Sequence, residues 1–387
     1  MVGGVVSVLL CVSLSETQAA KLLKDGPRRD FVELARLTEG TLLYAAGSRG
    51  RGILGRFVGP HVRQAFRAAR SLHAGDTCFA DGEHIGIPLL FALALQLKRR
   101  VRVVMLGHLV DRPWKKFLLR VATRLVPNGR LLLHSTVQRE KVHAALAKSW
   151  KIELVPYQVD TSYWVGSAAE DDADGFLLAV GSENRDYETL AAAVDGEPVR
   201  VRIAAGSHWA RRVATSSSTP GNVEYIDTTL PFSELRRAYE AAWAVVVPIE
   251  DVTNQSGVTV ILEAMSMRRP VIVTATRGQR ECVTGPLVTA SGGLNHGATS
   301  GRGPQLFGDP KDPEPTGLYV SVADPAGLKA AVQLLHSDTS MRRRLGEAAR
   351  ASAEAHFSIE RYARALADAV LDVAAKSAPE SVAAAQT

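Results

Sequence analysis

Cysteine is scarce. Cys11, Cys78 and Cys282 are widely spaced and odd in number, which excludes a disulfide framework and a cysteine-built metal site and points to a reducing compartment. No apolar run approaches the ~20 residues needed to span a bilayer. No Lys or Arg precedes Lys21. The apolar stretch Val5–Val12 therefore lacks the charged flank of a secretory signal, despite Thr17-Gln18-Ala19-Ala20 behind it, and is expected to be a first buried strand. These absences leave a globular protein expected in the cytoplasm. At 387 residues the chain is long enough for two domains, each with its own core.

Charge is unevenly spread. Residues 1–160 hold 25 Lys plus Arg against 12 Asp plus Glu, whereas residues 161–387 hold 21 against 28. The basic side chains crowd at Arg49, Arg51, Arg56, Arg63, Arg67 and Arg70, at Lys98, Arg99, Arg100 and Arg102, and between Arg112 and Arg124. In that last run they recur among Trp114, Phe117, Leu118, Leu119 and Val121, a pattern that fits both a solvated face on a packed helix and a helix lying at the anionic inner face of a membrane. No nucleic-acid module accompanies the charge, so no nucleic-acid partner is expected.

Short apolar runs alternate with helix-length stretches twice along the chain. In the first half they fall at Val5–Val12, Thr41–Ala45, Asp76–Ala80, Val101–Leu106, Arg130–His134 and Ile152–Val155, with helices expected at Phe31–Leu37, His61–Leu72, Ile87–Leu97, Trp114–Leu125 and Val137–Lys148. After an acidic stretch from Gly166 to Gly175 the pattern restarts at Phe176–Val180, Val199–Ala205, Val223–Ile226, Ala244–Val247, Pro270–Thr274 and Leu318–Val320. Strand–helix alternation of this kind makes a parallel sheet covered on both faces. The expected architecture is α/β: two Rossmann-like domains, 1–165 and 166–358, facing each other across a cleft. Ligands are then expected at the carboxyl ends of the strands. A helix at about 359–374 is expected to pack back on the first domain, with a flexible tail over 375–387.

The segment Asn254-Gln255-Ser256-Gly257-Val258-Thr259-Val260-Ile261-Leu262-Glu263-Ala264-Met265 carries the most chemistry. Small residues open a helix at Ser256-Gly257, where the first N–H groups lack internal partners and favour an anion, and Gly257 lets that anion come close to the backbone. Glu263 follows nearly two turns on, roughly 9 Å along the axis, where a ribose beside a bound phosphate would lie. A Glu among such apolar neighbours is expected to face a ligand or solvent rather than the core. The competing reading has Ser256 as a simple helix cap and Glu263 pointing to water.

This segment resembles the signature of family 4 glycosyltransferases of the GT-B fold, in which two Glu residues eight positions apart precede Ala-Met and a Gly-x-Pro-Val strand. Glu263 matches the second Glu, Gln255 stands at the first, and Arg268-Arg269 replace the glycine before Pro270-Val271. The resemblance implies a retaining enzyme that moves a sugar from a nucleotide-diphosphate sugar, a UDP-sugar favoured, to an acceptor hydroxyl. It implies no cofactor and no metal, and no acidic metal-binding pair is seen. It assigns donor binding to Arg185, Ser256, Gly257, Val258, Thr259, Glu263 and the strand end at Ile226; catalysis to His108 and Gln255; and the acceptor side to Asp81, Glu83 and Glu16. Each assignment has a plain structural counterpart: Arg185 as an exposed cap, His108 as a hydrogen-bonded structural histidine, Asp81 and Glu83 as caps of the next helix, Ile226 as an ordinary strand end. The Gly-rich loop usual after the first strand is missing, and Ser182 occupies the place of one diphosphate-binding Arg. Partners would be the nucleotide-sugar, a small-molecule, glycan or lipid-linked acceptor, and an anionic membrane surface through the basic half. A nucleotide-sugar epimerase and a noncatalytic GT-B paralogue are the alternatives; a phosphorylase would need a pyridoxal lysine, for which no motif is found. Between Val283 and Gly317 a Gly- and Pro-rich insertion is expected to be a loop.

Overall fold

The computed structural model describes residues 7–45, 59–167, 175–206, 220–226, 228–296 and 314–372. Arg49, Arg51 and Arg56, most of the acidic stretch after Gly166, the insertion from Gly297 to Pro313 and the tail beyond 372 lie outside them.

The chain divides into two compact units, one of Met1–Lys24, Arg28–Val155 and Glu360–Thr387, the other of Asp25–Pro27 and Pro156–Ile359. The first is built from β1 (Val8–Val12), α1 (Glu16–Lys24), α2 (Asp30–Thr38), β2 (Thr41–Tyr44), α3 (Pro60–Ser71), β3 (Thr77–Ala80), α4 (Glu83–Leu95), β4 (Arg102–Gly107), α5 (Pro113–Leu125), β5 (Gly129–Leu133), α6 (Thr136–Val142) and β6 (Lys151–Leu154), completed by α12 (Ile359–Leu371). Its six strands run parallel in the order β2-β1-β3-β4-β5-β6. Neighbouring residues on a strand point to opposite faces. Cys11, Cys78, Met105 and Leu131 thus join the core with Ala65, Ala68, Leu89 and Leu93 of α3 and α4, while Leu10, Phe79, Val104 and Leu132 join Leu34 of α2 and Tyr362, Leu366 and Val370 of α12. Burial on both faces explains why these strands read as continuous apolar runs. Asp372, just past α12, pairs with Arg102 at 3.0 Å and with Arg130, and fixes that helix end to β4 and β5.

The second unit follows with β7 (Phe176–Val180), α7 (Tyr187–Val194), β8 (Val201–Ala204), β9 (Val223–Ile226), α8 (Phe232–Ala241), β10 (Ala242–Val247), α9 (Val258–Ser266), β11 (Val271–Thr274), the two-residue strands β12 (Leu287–Val288) and β13 (Leu294–Asn295), β14 (Gly317–Val320), α10 (Pro325–Ser337) and α11 (Thr339–His356). Its sheet order is β13-β12-β14-β11-β10-β7-β8-β9, parallel except for the β12–β13 pair. Residues 156–166 pack with this unit: Val159 N–H donates to Phe357 O at 2.8 Å, and the Arg350 guanidinium donates to Trp164 O and Ser266 O, both at 2.8 Å.

Several elements differ from the sequence expectation. Helix α1 was not expected, α4 opens at Glu83 rather than Ile87, α6 stops at Val142 rather than Lys148, and the strands β12 and β13 lie in what the composition marks as loop. The first two begin in polar turns that carry no apolar period, which is the signal the expectation relied on.

Candidate functional site

In both sheets chemistry gathers where the strand order reverses, since the loops leaving the strands on either side of that point diverge and open a crevice at the carboxyl ends. In the second unit that point lies between β7 and β10. The loop after β7 carries Arg185; the loop after β10 carries Gln255, Ser256 and Gly257. Gly257 has φ +85° and opens α9. A Cβ added there would lie 2.8 Å from Val247 Cγ1 and 3.2 Å from a terminal nitrogen of Arg185, so the guanidinium lies directly against the glycine backbone. Arg185 donates to Val180 O at 3.1 Å and Glu183 O at 2.7 Å and makes no ion pair with a carboxylate among the described residues. Burial draws its pKa below the usual arginine value, yet a guanidinium stays charged. Val258 N–H, the first of α9, donates to Gln255 O at 3.2 Å; a cation beside a helix start is an arrangement that favours an anion.

Ser256 is buried and its hydroxyl does not cap α9. It donates to Glu183 O at 3.1 Å and accepts from Asn184 Nδ2 at 3.2 Å, which fastens the start of α9 to the Arg185 loop. The loop after β11 closes the arrangement from the other side. Gln279 Nε2 donates to Ser256 O at 2.5 Å, Gly278 N–H to Val252 O at 3.1 Å, and Gln255 Nε2 to Glu281 Oε2 at 2.9 Å. A Cβ on Gly278 would sit 2.0 Å from Asn254 O, so at that point the two loops approach backbone to backbone. Of the helix residues, Val258 is buried and Thr259 exposed.

Glu263 departs from the sequence expectation that charge keeps it out of the core. It is 6% exposed, with Oε2 accepting from the Tyr239 hydroxyl at 2.8 Å. Burial and Glu263 together raise the Tyr239 pKa well above the usual value, opposed by Arg185. The carboxylate is tolerated inside because it is hydrogen-bonded. Ile226 ends the edge strand β9, two strands away from β7, and is half-buried beside Tyr225.

In the first unit the order reverses between β1 and β3. Ser13, after β1, gives Asp81, after β3, two hydrogen bonds: backbone N–H at 2.6 Å and Oγ at 2.8 Å, both to Oδ2. Asp81 Oδ1 is buried with no hydrogen-bond partner among the described residues, and burial, with Asp30 adding to it, pushes the carboxyl up to about 6 despite the Ser13 bonds. Glu83 is buried. Burial alone would raise it, but His108 N–H at 3.0 Å and Lys115 Nζ at 2.6 Å hold it below the usual range. Neither acid caps α4 through its side chain, contrary to the plain reading of the sequence. His108, at the end of β4, is exposed, with Nε2 3.0 Å from Asp81 O; that nitrogen is then the protonated one in the neutral ring, leaving Nδ1 as an acceptor. Nearby, His61 and His84 stack edge to face at 4.5 Å, and burial with His61 brings His84 down to about 4. Glu16 is exposed at the start of α1.

The structure thus brings Arg185, Gln255, Ser256 and Gly257 together in one unit and Asp81, Glu83 and His108 together in the other. Sequence reasoning missed Tyr239, Asn184, Gln279, Glu281, Ser13 and Lys115. Gln279 and Glu281 were within reach of the strand-end rule, since they follow β11 directly; Tyr239, inside a helix on the far side of Glu263, carried no local signal.

Residues 163–295 match the family model described as glycosyl transferases group 1. None of the curated proteins searched matches the chain. Among solved structures, HepE from Anabaena, crystallised in complex with UDP and glucose, is similar over 96% of this chain and 100% of its own, at 14% identity and TM-score 0.63. Sucrose-phosphate synthase from Thermosynechococcus elongatus is similar over 94% and 97%, at 15% identity and TM-score 0.65, and an α,α-trehalose 6-phosphate synthase from Burkholderia multivorans over 95% and 98%, at 12% identity and TM-score 0.63. The chain has the GT-B fold of two Rossmann-like units.

Proposed function

We propose that this protein is a glycosyltransferase that takes a sugar from a nucleotide-diphosphate sugar, a UDP-sugar first, and passes it to an acceptor hydroxyl with retention of anomeric configuration. One observation carries the reading: the Arg185 guanidinium lies against Gly257 at the opening of α9, 3.2 Å from where a Cβ would be. Departure of a nucleoside diphosphate leaves negative charge on the phosphates as the sugar becomes oxocarbenium-like, and preorganised donors at that charge lower the barrier most. Arg185 and the first-turn N–H groups of α9 beyond Val258 would supply them, Val258 N–H being held by Gln255 O at 3.2 Å. Glu263 takes the ribose end, with Tyr239 holding its carboxylate, and Ile226 lies toward the base. His108, Asp81, Glu83 and Glu16 are assigned to the acceptor side, and Gln255 to the transferred sugar. The presence of UDP and glucose in HepE supports the choice of donor. Neither the donor role of these residues nor the acceptor side calls for a metal or cofactor.

The test is a thermal-shift panel of UDP-, GDP- and ADP-sugars, because a ligand bound only to the native state raises apparent stability, by ~2.7 kcal/mol at a hundred times Kd. A UDP-sugar is expected to give the largest shift, lost in Arg185→Met. No shift with any donor removes the proposal. A noncatalytic reading has one observation in its favour, the neutral Gln255 bonded to Glu281. Nucleotide binding without acceptor-dependent release of nucleoside diphosphate would decide for it, and sugar inversion without an acceptor for an epimerase.

A further inference from the structure

Helix α5 departs from how a surface helix is ordinarily built. Its core side is set by Leu119, Ala122 and Thr123, all buried, with Val126 following. At 100° per residue, the direction opposite those residues is where a solvated helix carries its charges. Here Phe117 stands there, 64% exposed, with Trp114 one turn before it at 60%. Val121, half-buried, continues the same stripe. Arg120 and Arg124, both exposed, and Lys116, half-buried, run along one flank, and Arg112 precedes the helix. The helix holds no acid, and none of these four cations has a carboxylate within ion-pair distance among the described residues. Lys115 differs from them: it is spent on buried Glu83 at 2.6 Å and lies 5.4 Å from the Trp114 ring centre. No described helix is long and apolar enough to cross a membrane.

We propose that α5 is the docking face of this protein for an anionic lipid surface, with Trp114 and Phe117 entering the headgroup region and Lys116, Arg120, Arg124 and Arg112 meeting the lipid phosphates. Charge complementarity and the order of residues around the helix select this partner. A nucleic-acid face places cations at its centre and tracks phosphates along a groove, whereas an interfacial helix puts aromatic side chains at the centre and cations at the flank. The inference does not depend on the sugar donor, because it rests on a surface that holds none of the residues assigned to transfer.

Flotation of the full chain with vesicles tests it. Wild type is expected to float with phosphatidylcholine vesicles containing phosphatidylglycerol and to stay in solution with phosphatidylcholine alone, and to be released at high salt. Trp114→Ser with Phe117→Ser, and separately Arg120→Glu with Arg124→Glu, are each expected to lower partition about tenfold while the melting temperature stays that of wild type. Brominated phosphatidylglycerol supplies a second measurement: it should quench part of the tryptophan emission of wild type, the part that Trp114→Phe, which keeps an aromatic ring there, removes. Absence of wild-type flotation, equal flotation of either double variant, no quenching, or capture by an oligonucleotide in place of vesicles each overturns the proposal.

Discussion

Gln255 donates its side-chain amide to a carboxylate oxygen of Glu281 at 2.9 Å, which ties the loop ahead of α9 to the loop after β11. Gln255→Glu would set two carboxylates at that distance. It is expected to cost about 1–3 kcal/mol at neutral pH, less as the pH falls and one acid takes up a proton, and Glu281→Gln in the same chain is expected to restore stability. Denaturant midpoints of the two single variants and the double variant, at pH 5 and pH 7.5, check the coupling.

Gly257→Ala tests the anion site. Its φ of +85° and the 2.8 Å approach to Val247 make any side chain strained, at a cost of about 1–3 kcal/mol. UDP affinity is expected to fall with it, because the methyl pushes on the guanidinium of Arg185. Calorimetric titration with UDP at a temperature where the variant is still folded reads the second effect apart from the first.

Tyr239 and Glu263 should separate stability from binding. Tyr239→Phe removes the hydroxyl that holds a buried carboxylate and is expected to cost about 1–3 kcal/mol. Glu263→Gln keeps an acceptor for Tyr239, so the melting temperature should change little, while nucleotide affinity should drop by about tenfold or more if the carboxylate meets a ribose. Unchanged UDP affinity in Glu263→Gln rules out the ribose role.

Asp81 gives a pH dependence with a definite sign. Its carboxyl is raised from 3.8 to about 6, so the folded state binds the proton more tightly than the unfolded one. Its neutral form is favoured by folding: that contribution is present below about pH 4 and is lost as pH rises through 6. Asp81→Asn keeps an acceptor for Ser13 and should gain about 1–2 kcal/mol over wild type at pH 7, with the gain shrinking toward pH 4. Urea unfolding across that range measures it. Acidification charges His84, lowered to about 4, and acts in the opposite direction, so comparison with wild type at each pH is what isolates Asp81.

The fold was legible because its parallel strands are buried on both faces and its helices carry apolar stripes; β-branched runs such as Val271–Thr274 leave few other assignments. Arg185 and Gly257 were legible as residue types, but their meeting was not, since it depends on two loops brought together by the sheet order. Helix α1 left a trace that apolar periodicity does not register: Ser15 and Gln18 cap each other, Gln18 N–H to Ser15 Oγ at 3.3 Å and Ser15 N–H to Gln18 Oε1 at 2.9 Å, the spacing of a capping box. Glu263 was misjudged for a general reason. Burial of a carboxylate is settled by its partner, and Tyr239 lies 24 residues away in sequence.

The return of α12 to the first unit sets an order of events during synthesis. Leu10, Phe79, Val104 and Leu132 wait for Tyr362, Leu366 and Val370, which the ribosome delivers only after Pro156–Ile359 has been made. At 5–20 residues per second that gap lasts roughly 10–40 s, during which α2 is the helix of that cluster already in place and the part of the sheet that α12 covers stays open. The nascent chain is therefore expected to need chaperones over that interval, and a gene cut after Val155 should yield aggregate where the whole chain yields folded protein.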